Sequence, residues 1–511
     1  MSSKPASSEP VDLLIIGGGV NGTGIARDAA GRGLSILLAE RGDLAGATSS
    51  AATKLIHGGL RYLEHYEFRL VREALGEREV LMKMAPHIIW PLRFVLPHHP
   101  GLRPAWMIRI GLFLYDHLAG RVTLPGSQSL DFTQGDVRGR PLKTEFKRGF
   151  EYSDCWVDDA RLVVLNAMAA RAMGGQIFTR TAVTAARREG SLWHVTLTDQ
   201  ATGASREVTA RGIVNAGGPW VRETLTGAFG RNPKNSVRLI KGSHIVTRKL
   251  FDGDHCYIFQ NADNRIIFAI PYERDFTLIG TTDIQLDKLD GPPRISEEET
   301  TYLLEAASEY FKQPVTRDQL VWAYAGVRPL YDDGDNDPSA ITRDYVLDLE
   351  GETGEAPLLS VYGGKLTTYR RLSEHALEKL MPFYPQMGKP WSGTKPLPGG
   401  DIGAASFDTF VADLRHKYPG LDPAWLARLA RRHGSAALEI LGDAQWASDL
   451  GESFGGGLYS REVEYLMRRE WAREADDVLW RRTKCGLWVS ATDRERLANW
   501  MAQHRPNVDA A

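Results

Sequence analysis

The chain has 511 residues, enough for more than one domain, because a single hydrophobic core stops growing at about 250–300 residues. Its 62 Lys and Arg nearly balance 64 Asp and Glu, so the formal charge of -2 gives no reason to expect nucleic-acid binding. The three cysteines, Cys155, Cys256 and Cys485, form no spaced motif, which excludes a disulfide framework, a zinc motif and c-type haem attachment. The polar start MSSKPASSEP carries no signal-peptide pattern, so we expect the chain to stay in the cytoplasm.

The first forty residues predict a βαβ unit, with VDLLIIG as a buried strand, residues 21–32 as a helix and LSILLAE as a second strand. Gly17, Gly19 and Gly22 complete a G-x-G-x-x-G motif between strand and helix, where a pyrophosphate can approach bare backbone. Glu40 ends the second strand, where a carboxylate can accept hydrogen bonds from an unphosphorylated ribose. A tight turn without ligand explains the glycines alone, but strand, helix and Glu40 together predict a dinucleotide site.

Later glycine-rich segments decide between NAD and FAD. Residues 48–66 are small, polar and glycine-bearing, which is typical of a loop that wraps a ligand. Two further segments, Ala216-Gly217-Gly218 and Gly363 to Thr368, lie far downstream, and each alone is equally well a turn without a ligand. An NAD domain is usually contiguous, whereas an extended FAD needs contacts after a returning strand and beside its ring. The distribution therefore favours FAD.

Alternating apolar residues in SLWHVTLTD, RIIFAIPY and DFTLIGTTD predict an antiparallel sheet, which we assign to a substrate domain. Near residue 400 the pattern changes to helical periodicity in DPAWLARLARRHGSAALEIL and REVEYLMRREWAREADDVLWRRT, with Asp422 and Pro423 as a helix start. We expect a flexible tail at 1–10, interleaved FAD-binding and substrate-binding domains at 11–395, and a C-terminal helical cap domain at 396–511.

Four cations, Arg61, Arg328, Arg343 and Lys365, lie among apolar residues and glycines. Surface cations usually have polar neighbours, so together the four predict a cluster that faces a bound anion such as a phosphate. For each one alone, an ordinary ion pair is at least as good an explanation.

Two histidines are candidates for the base that alcohol oxidation requires, since the hydroxyl proton must leave when hydride leaves carbon. His244 lies in RLIKGSHIV beside the predicted substrate sheet and is favoured over His57. A structural histidine with satisfied hydrogen bonds is the alternative for both.

The segment RPAWMIRIGLFLYDHL predicts an amphipathic helix with Arg109 and Asp116 on one face. Such a helix fits a membrane surface that receives Trp106, Met107 and Phe113, and it fits a core helix with one solvated edge equally well. The sequence leaves both open.

The blocks of sequence that carry a resemblance to a known family are SSAATKLIHGGLRYLEHYEFRLVREAL, KRGFEYSDCWVDDARL, RLIKGSHIV, LIGTTD, GVRPL, ITRDY and GGKLTTYR. They come in the family's order and spacing, and the chain resembles the aerobic FAD-dependent glycerol-3-phosphate dehydrogenases over essentially its whole length. The resemblance implies an α/β fold, with a Rossmann-like (glycine-oxidase-like) FAD-binding domain, an interleaved mixed or antiparallel substrate sheet and a C-terminal helical cap. It implies oxidation of sn-glycerol 3-phosphate to dihydroxyacetone phosphate by hydride transfer to FAD. It further implies ubiquinone or menaquinone of the respiratory chain as acceptor, a homodimer, and peripheral attachment to the cytoplasmic face of the inner membrane.

The resemblance also implies residue roles. His244 and Arg328 would be catalytic, and the phosphate-side contacts would be Arg61, Tyr62, Thr281, Arg343 and Lys365. The cofactor contacts would be Gly17, Gly19, Gly22, Glu40, Thr48, Ser49, Thr53, His57, Val183, Ala216, Gly217, Gly364, Lys365, Leu366 and Thr367. No metal is expected.

Three alternatives stay open. An oxidase that passes electrons to oxygen would share the substrate-side motifs and would differ by producing peroxide. A non-catalytic protein could bind the dinucleotide structurally and use its helical C-terminal domain for partners. An NAD-dependent dehydrogenase would lack the yellow colour of a flavoprotein.

Overall fold

The computed structural model describes residues 9–60, 63, 67–119, 123–261, 263, 265–332, 344–352, 354–402 and 406–505. The chain forms two compact units, each built from separate stretches of sequence. The first unit contains residues 1–50, 160–237 and 329–511, and the second contains residues 51–159 and 238–328. Within the described ranges, no helix combines the length and the apolar character needed to cross a membrane.

The strands, numbered in chain order, are β1 (Leu13–Ile16), β2 (Ile36–Ala39), β3 (Leu55–Ile56), β4 (Ile89–His98), β5 (Gln128–Asp131), β6 (Arg148–Val157), β7 (Gln176–Phe178), β8 (Thr181–Glu189), β9 (Leu192–Asp199), β10 (Ser205–Ala210), β11 (Ile213–Asn215), β12 (Val237–Arg248), β13 (His255–Gln260), β14 (Ile266–Tyr272), β15 (Phe276–Gly280), β16 (Ile284–Leu286), β17 (Leu320–Tyr331), β18 (Val346–Glu350) and β19 (Leu358–Tyr362).

The α-helices are α1 (Val20–Gly31), α2 (Phe68–Met84), α3 (Ala105–His117), α4 (Asp159–Ala172), α5 (Val221–Gly227), α6 (Glu297–Ser308), α7 (Tyr369–Leu380), α8 (Phe407–Lys417), α9 (Pro423–His433), α10 (Ala437–Leu441), α11 (Ser460–Arg469) and α12 (Ala491–Gln503).

The first unit is organised around a six-stranded sheet in the order β18-β19-β11-β1-β2-β7. Strands β7, β2, β1, β11 and β19 pair in parallel, and β18 pairs antiparallel at the edge. The central strands β1 and β2 are buried along their whole length, which explains their unbroken apolar sequences LLII and ILLA. The predicted βαβ start is therefore found with its helix shifted by one residue.

A second sheet of this unit is the antiparallel arrangement β10-β9-β8. The sequence analysis assigned SLWHVTLTD to the substrate sheet together with RIIFAIPY and DFTLIGTTD, and for this strand the assignment is wrong. Strand β9 lies in the first unit because its alternating residues Trp193, Val195 and Leu197 pack in a core with Leu14 of β1 and Ile213 of β11. Alternation identified a strand but carried no information on its partner.

Helices α8 to α12 also belong to the first unit and share one hydrophobic core. Helix α9 begins where the sequence predicted, because the Asp422 carboxylate accepts the backbone N–H of Trp425 at 2.6 Å and Pro423 occupies the first helical position. The boundaries expected at residues 10, 395 and 396 stay a prediction.

The second unit is built on a ten-stranded sheet with the path β16-β12-β15-β14-β13-β4-β6-β3, to which β17 adds through β12 and β5 through β6. Strand β13 pairs in parallel with β4, and the pairs β12–β15, β13–β14, β14–β15 and β4–β6 are antiparallel. Phe259, Ile267 and Ile279 on one face pack in a core with Leu303 and Ala307 of helix α6. The strands predicted from RIIFAIPY and DFTLIGTTD are β14 and β15 of this sheet.

Candidate active site

The first unit contains a backbone cradle, formed by residues 17–22 between β1 and α1. Gly17 has a φ of +107°, and a Cβ atom there would lie 2.5 Å from the carbonyl oxygen of Ala216. A Cβ atom on Gly22 would lie 1.9 Å from the carbonyl oxygen of Gly17. Neither position has room for a side chain, so the motif glycines are required by close backbone packing. The same contact brings the expected Ala216 and Gly217 segment beside Gly17.

The N-terminus of α1 has polar groups available for a ligand. Gly19, its N-cap residue, makes no side-chain capping bond, and Val20 donates its backbone N–H to Ser49 Oγ at 3.0 Å. Asn21 donates from Nδ2 to the carbonyl oxygen of Gly363 at 3.1 Å, while its buried Oδ1 has no hydrogen-bond partner among the described residues. Backbone N–H groups at a helix start suit an anion, whereas the unsatisfied Asn21 Oδ1, which can only accept, suits a hydroxyl or N–H donor of the same ligand.

Glu40 lies at the end of β2, beside the cradle. Its carboxylate accepts the backbone N–H of Gly18 at 2.6 Å and that of Gly42 at 2.7 Å. Burial raises the pKa of Glu40, and the two N–H donors lower it in part. The carboxylate is thus fixed at the position where the sequence predicted a ribose contact.

The other expected cofactor residues divide between the units. In the first unit, Thr48 and Ser49 form a short 3-10 turn, and Val183 lies on β8, whose first residue donates its N–H to the Glu40 carbonyl. The segment containing Gly364, Lys365, Leu366 and Thr367 joins β19 to α7, and the Asn21 bond to Gly363 fixes its start at α1. Thr53 and His57 belong to the second unit, on either side of β3.

This donor set fits FAD. The bare backbone at residues 17–19 and the start of α1 suit a pyrophosphate. The acceptor oxygens of Asn21 and Glu40 suit donor groups of the ligand, such as ribose hydroxyls. Sequence reasoning placed Asn21 inside the motif but gave it no role. Its signal was a polar residue in the first helical turn directly after the glycines.

The second unit contains a separate cluster around His244 on β12. The ring is buried, its Nε2 lies 3.0 Å from Thr53 Oγ1, and Tyr324 of β17 stacks on it with a centroid distance of 4.9 Å. A Cβ atom on Gly280 of β15 would lie 2.1 Å from the ring, so this strand allows the histidine only because a glycine faces it. The structure thus joins the expected Thr53 and His244 within one unit.

The charges beside His244 keep it neutral. Burial, followed by the positive charges of Lys54 and Arg328, lowers the pKa of His244 to about 3. Lys54 is buried, pairs with Asp159 at 2.7 Å and lies 5.2 Å from the Tyr324 ring centroid. A neutral imidazole among cations can accept a proton, and an anion bound nearby would raise its pKa. Sequence reasoning missed Lys54 and Tyr324, although a lysine between Thr53 and the apolar pair Leu55–Ile56 was a usable signal.

Arg328 of β17 lies at the edge of this cluster and is half-exposed. Its guanidinium pairs with Asp283 and donates to the carbonyl oxygen of Thr282 at 3.3 Å. Thr281 lies close by, because a Cβ atom on Gly242 would contact both Thr281 Oγ1 and Arg328 Nη2. The structure therefore groups the expected His244, Thr281 and Arg328 around β12.

A buried carboxylate braces this strand. Glu299 at the start of α6 accepts hydrogen bonds from Ser243 Oγ at 2.8 Å and Thr282 Oγ1 at 2.7 Å, and pairs with Lys241 at 2.8 Å. The contacts fix the two segments that carry His244 and Thr281. The expected Arg61, Tyr62 and Arg343 lie outside the described residues.

Comparisons with known proteins identify the family and the cofactor. Residues 12–370 match the family model of FAD dependent oxidoreductases, and residues 392–505 match the C-terminal domain of alpha-glycerophosphate oxidase. The chain is 54% identical over 496 residues to the aerobic glycerol-3-phosphate dehydrogenase of Escherichia coli, covering 97% of this chain and 98% of that protein. It is 51% identical over 495 residues to the D-erythritol 1-phosphate dehydrogenase of Brucella abortus, with the same shares covered.

Among solved structures, the glycerol-3-phosphate dehydrogenase of Bacillus halodurans, complexed with FAD, matches with a TM-score of 0.77 and 28% identity, covering 97% of this chain and 91% of that one. The predicted α/β fold with a C-terminal helical domain is confirmed, as is FAD as the cofactor. The chain belongs to the FAD dependent oxidoreductase family, among its glycerol-3-phosphate dehydrogenases.

Proposed function

We propose that this protein oxidises sn-glycerol 3-phosphate to dihydroxyacetone phosphate, with FAD as hydride acceptor and membrane quinone as the final acceptor. The observation that carries the proposal is the buried, neutral His244, bonded to Thr53 and flanked by Lys54 and Arg328. Such a group is unprotonated at neutral pH, and an anionic substrate attracted by the two cations would raise its pKa toward the range in which it accepts a hydroxyl proton.

His244 is the proposed base, because alcohol oxidation releases the hydroxyl proton as hydride leaves the same carbon. Thr53 fixes the imidazole orientation through its contact with Nε2, and stacking on Tyr324 prevents the ring from turning. FAD, when bound, supplies the acceptor of the hydride. Arg328 is the proposed donor to the substrate oxygen where negative charge develops. To do so, it would exchange part of its pairing with Asp283 for the substrate.

The substrate's phosphate provides binding energy that orients the reacting carbon. For its recognition, Arg61, Tyr62, Thr281, Arg343 and Lys365 stay predictions. Removing an arginine that holds the phosphate should raise KM and also lower kcat, because the remote group positions C2.

A second substrate has specific support. D-Erythritol 1-phosphate, named for a relative at 51% identity, also carries a phosphate at one end of a polyol and differs by one additional carbon. Comparing kcat/KM for both compounds by the rate of quinone reduction, with dihydroxyacetone phosphate measured as the product of sn-glycerol 3-phosphate, tests the choice. A higher value for sn-glycerol 3-phosphate supports the proposal, and a higher value for the erythritol compound overturns it.

The proposals of a quinone acceptor and of attachment to the membrane surface are based on helix α3. Its residues Trp106, Ile110 and Phe113 are 63%, 52% and 56% exposed, so these side chains do not lie in a protein core. Arg109 and Asp116 share one face as expected, since both contact Ser127. An exposed aromatic and aliphatic face above a polar edge suits the surface of a bilayer.

A cavity of about 620 Å³ adjoins this helix, lined by Trp106, Arg109, Lys147, Arg148 and neighbouring residues. Basic side chains beside apolar ones match the boundary between lipid headgroups and acyl chains. We therefore favour peripheral attachment at the cytoplasmic face and a quinone acceptor.

The homodimer stays a prediction. Oxygen as acceptor is the rival outcome, and stoichiometric peroxide without added quinone would establish it.

A further inference from the structure

Residues 40–46 form a loop that borders the cradle and contacts it through the Glu40 carboxylate and the backbone of Ala45. The Glu40 carboxylate accepts N–H groups of Gly18 and Gly42, and Ala45 donates its N–H to the carbonyl oxygen of Gly18 at 3.0 Å. Any shift of this loop therefore moves both the Glu40 carboxylate and the glycine turn at Gly18.

The loop does not hold its conformation by local preference. Ala45 has a φ of 58°, and Arg180, whose N–H binds the Gly42 carbonyl at 2.7 Å, has a φ of 52°. Residues with a Cβ atom rarely adopt this left-handed region, and they keep it only where surrounding contacts impose it. The loop needs an external constraint.

Asp43 provides that constraint through two successive arginines of the C-terminal helical region. Arg482 donates from Nη2 to Asp43 Oδ1 at 2.8 Å and from Nη1 to Oδ2 at 2.9 Å, in a bidentate pair. Arg481 donates from Nε to Oδ2 at 2.6 Å. Both arginines lie on one π-helical turn, Asp477–Arg482, more than 400 positions from the loop.

The contact is buried and part of a larger network. Asp43 and Arg482 are both buried, and Asp477 also binds Arg180 at 2.7 Å and pairs with Arg481. Burial by itself raises the pKa of Asp43, but Arg482 and Arg481 outweigh it and hold the pKa below its ordinary value. Arg180 also lies 3.9 Å from the Asp43 carboxylate. A buried carboxylate hydrogen-bonded to Arg481 and Arg482 is a directional contact that is costly to break, because breaking it leaves a buried charge without a partner.

We propose that Asp43, Arg481 and Arg482 are positioning residues for FAD, through which the C-terminal helical region holds the Glu40 loop in its cofactor-binding conformation. The inference rests on the proposed flavin-dependent function and on the predicted contact between Glu40 and the ribose of FAD. It assigns this helical region a role in cofactor retention, apart from the chemistry of His244.

The test is the rate at which the holoenzyme releases FAD on dilution, followed by the recovery of flavin fluorescence well below the thermal midpoint. Arg482→Gln should accelerate release at least about tenfold, as expected for losing a charge-assisted pair. Asp43→Asn, which keeps the side-chain shape, should do the same and guards against a folding defect in the arginine variant. The double variant should release FAD within about twofold of either single variant, because both changes remove one interaction.

Arg432→Gln is the matched control. It breaks another buried pair of the same helical region, with Glu462 at 2.7 Å, that has no contact with the Glu40 loop. This variant should melt earlier and yet release FAD at the wild-type rate. Wild-type release from both folded Asp43 and Arg482 variants, or equal acceleration by Arg432→Gln, overturns the inference. Because FAD release is measured without substrate, a wild-type protein that retains FAD and ignores sn-glycerol 3-phosphate would refute the proposed function and leave this result standing.

Discussion

The cradle of the first unit is formed mainly by backbone atoms, whereas the His244 cluster of the second unit is formed by side chains. The cradle consists of backbone around Gly17 and Gly22, where the absence of side chains is the requirement. The His244 cluster consists of side chains from residues 53, 244 and 324, brought together by strand pairing. The first depends on room for bare backbone and the second on particular side chains, so the two should fail in different ways when mutated.

The largest effect is expected from Gly22→Ala. The added Cβ atom would lie 1.9 Å from the Gly17 carbonyl oxygen, so the cradle must open, and purified protein should contain less than about a tenth of the wild-type FAD. The visible absorbance spectrum measures this content. Gly76→Ala, on an open face of α2, is the control and should keep full FAD. Normal FAD content in Gly22→Ala would contradict the backbone description of the cradle.

His244→Asn should have the opposite pattern of effects, with loss of catalysis and normal FAD content. The variant should bind FAD normally, while the rate of flavin reduction by substrate falls by about 10²- to 10⁴-fold because the proposed base is lost. Stopped-flow absorbance measures that rate. His255→Gln removes another buried histidine of the second unit, on β13, and should reduce flavin at the wild-type rate. Equal rates in the two variants would remove His244 from the catalytic residues.

Replacing Trp106 and Phe113 by serine should weaken vesicle binding and leave substrate-dependent flavin reduction unchanged. The loss of two exposed apolar side chains from α3 should weaken binding to anionic phospholipid vesicles by about 10²-fold or more. Sedimentation with vesicles measures it, and Val137→Ser, another exposed apolar residue, is the control. Unchanged sedimentation would reject α3 as the membrane surface.

The smallest effect is on the pH dependence of stability. Because the pKa of His244 is about 3 in the folded protein, only the unfolded chain binds a proton there between about pH 6.5 and pH 3. The contribution of neutral His244 to the free energy of unfolding is complete above about pH 6.5 and is lost as the pH falls from about 6.5 to about 3. Thermal midpoints should therefore decrease less steeply toward acid in His244→Asn than in wild type. Exposed His504→Asn should keep the wild-type dependence, and matching slopes for both variants would contradict the buried, neutral state of His244.

The same contrast explains what the sequence could predict. The β1-α1-β2 start was predicted to within two residues, because each step follows from adjacent residues. Lys54 and Tyr324 were missed, because only the pairing of distant strands reveals them as neighbours of His244.

The segment REVEYLMRREWAREADDVLWRRT gives a second example of this limit. Its periodicity predicted one helix, but α11 ends at Arg469 and Trp471 adopts a φ of 57° before the π-helical turn begins. The intervening Glu470 is fully buried and pairs with Arg161, a partner more than 300 positions away. Periodicity contains no information about such a partner.

The central claim is that substrate reduces a flavin held by this chain. The direct measurement is the anaerobic absorbance spectrum of the purified protein before and after adding sn-glycerol 3-phosphate, followed by a short-chain quinone. We predict that the oxidised flavin band is bleached by the substrate and returns with the quinone. A colourless protein, or a yellow one whose band is unchanged by sn-glycerol 3-phosphate, would contradict the proposal.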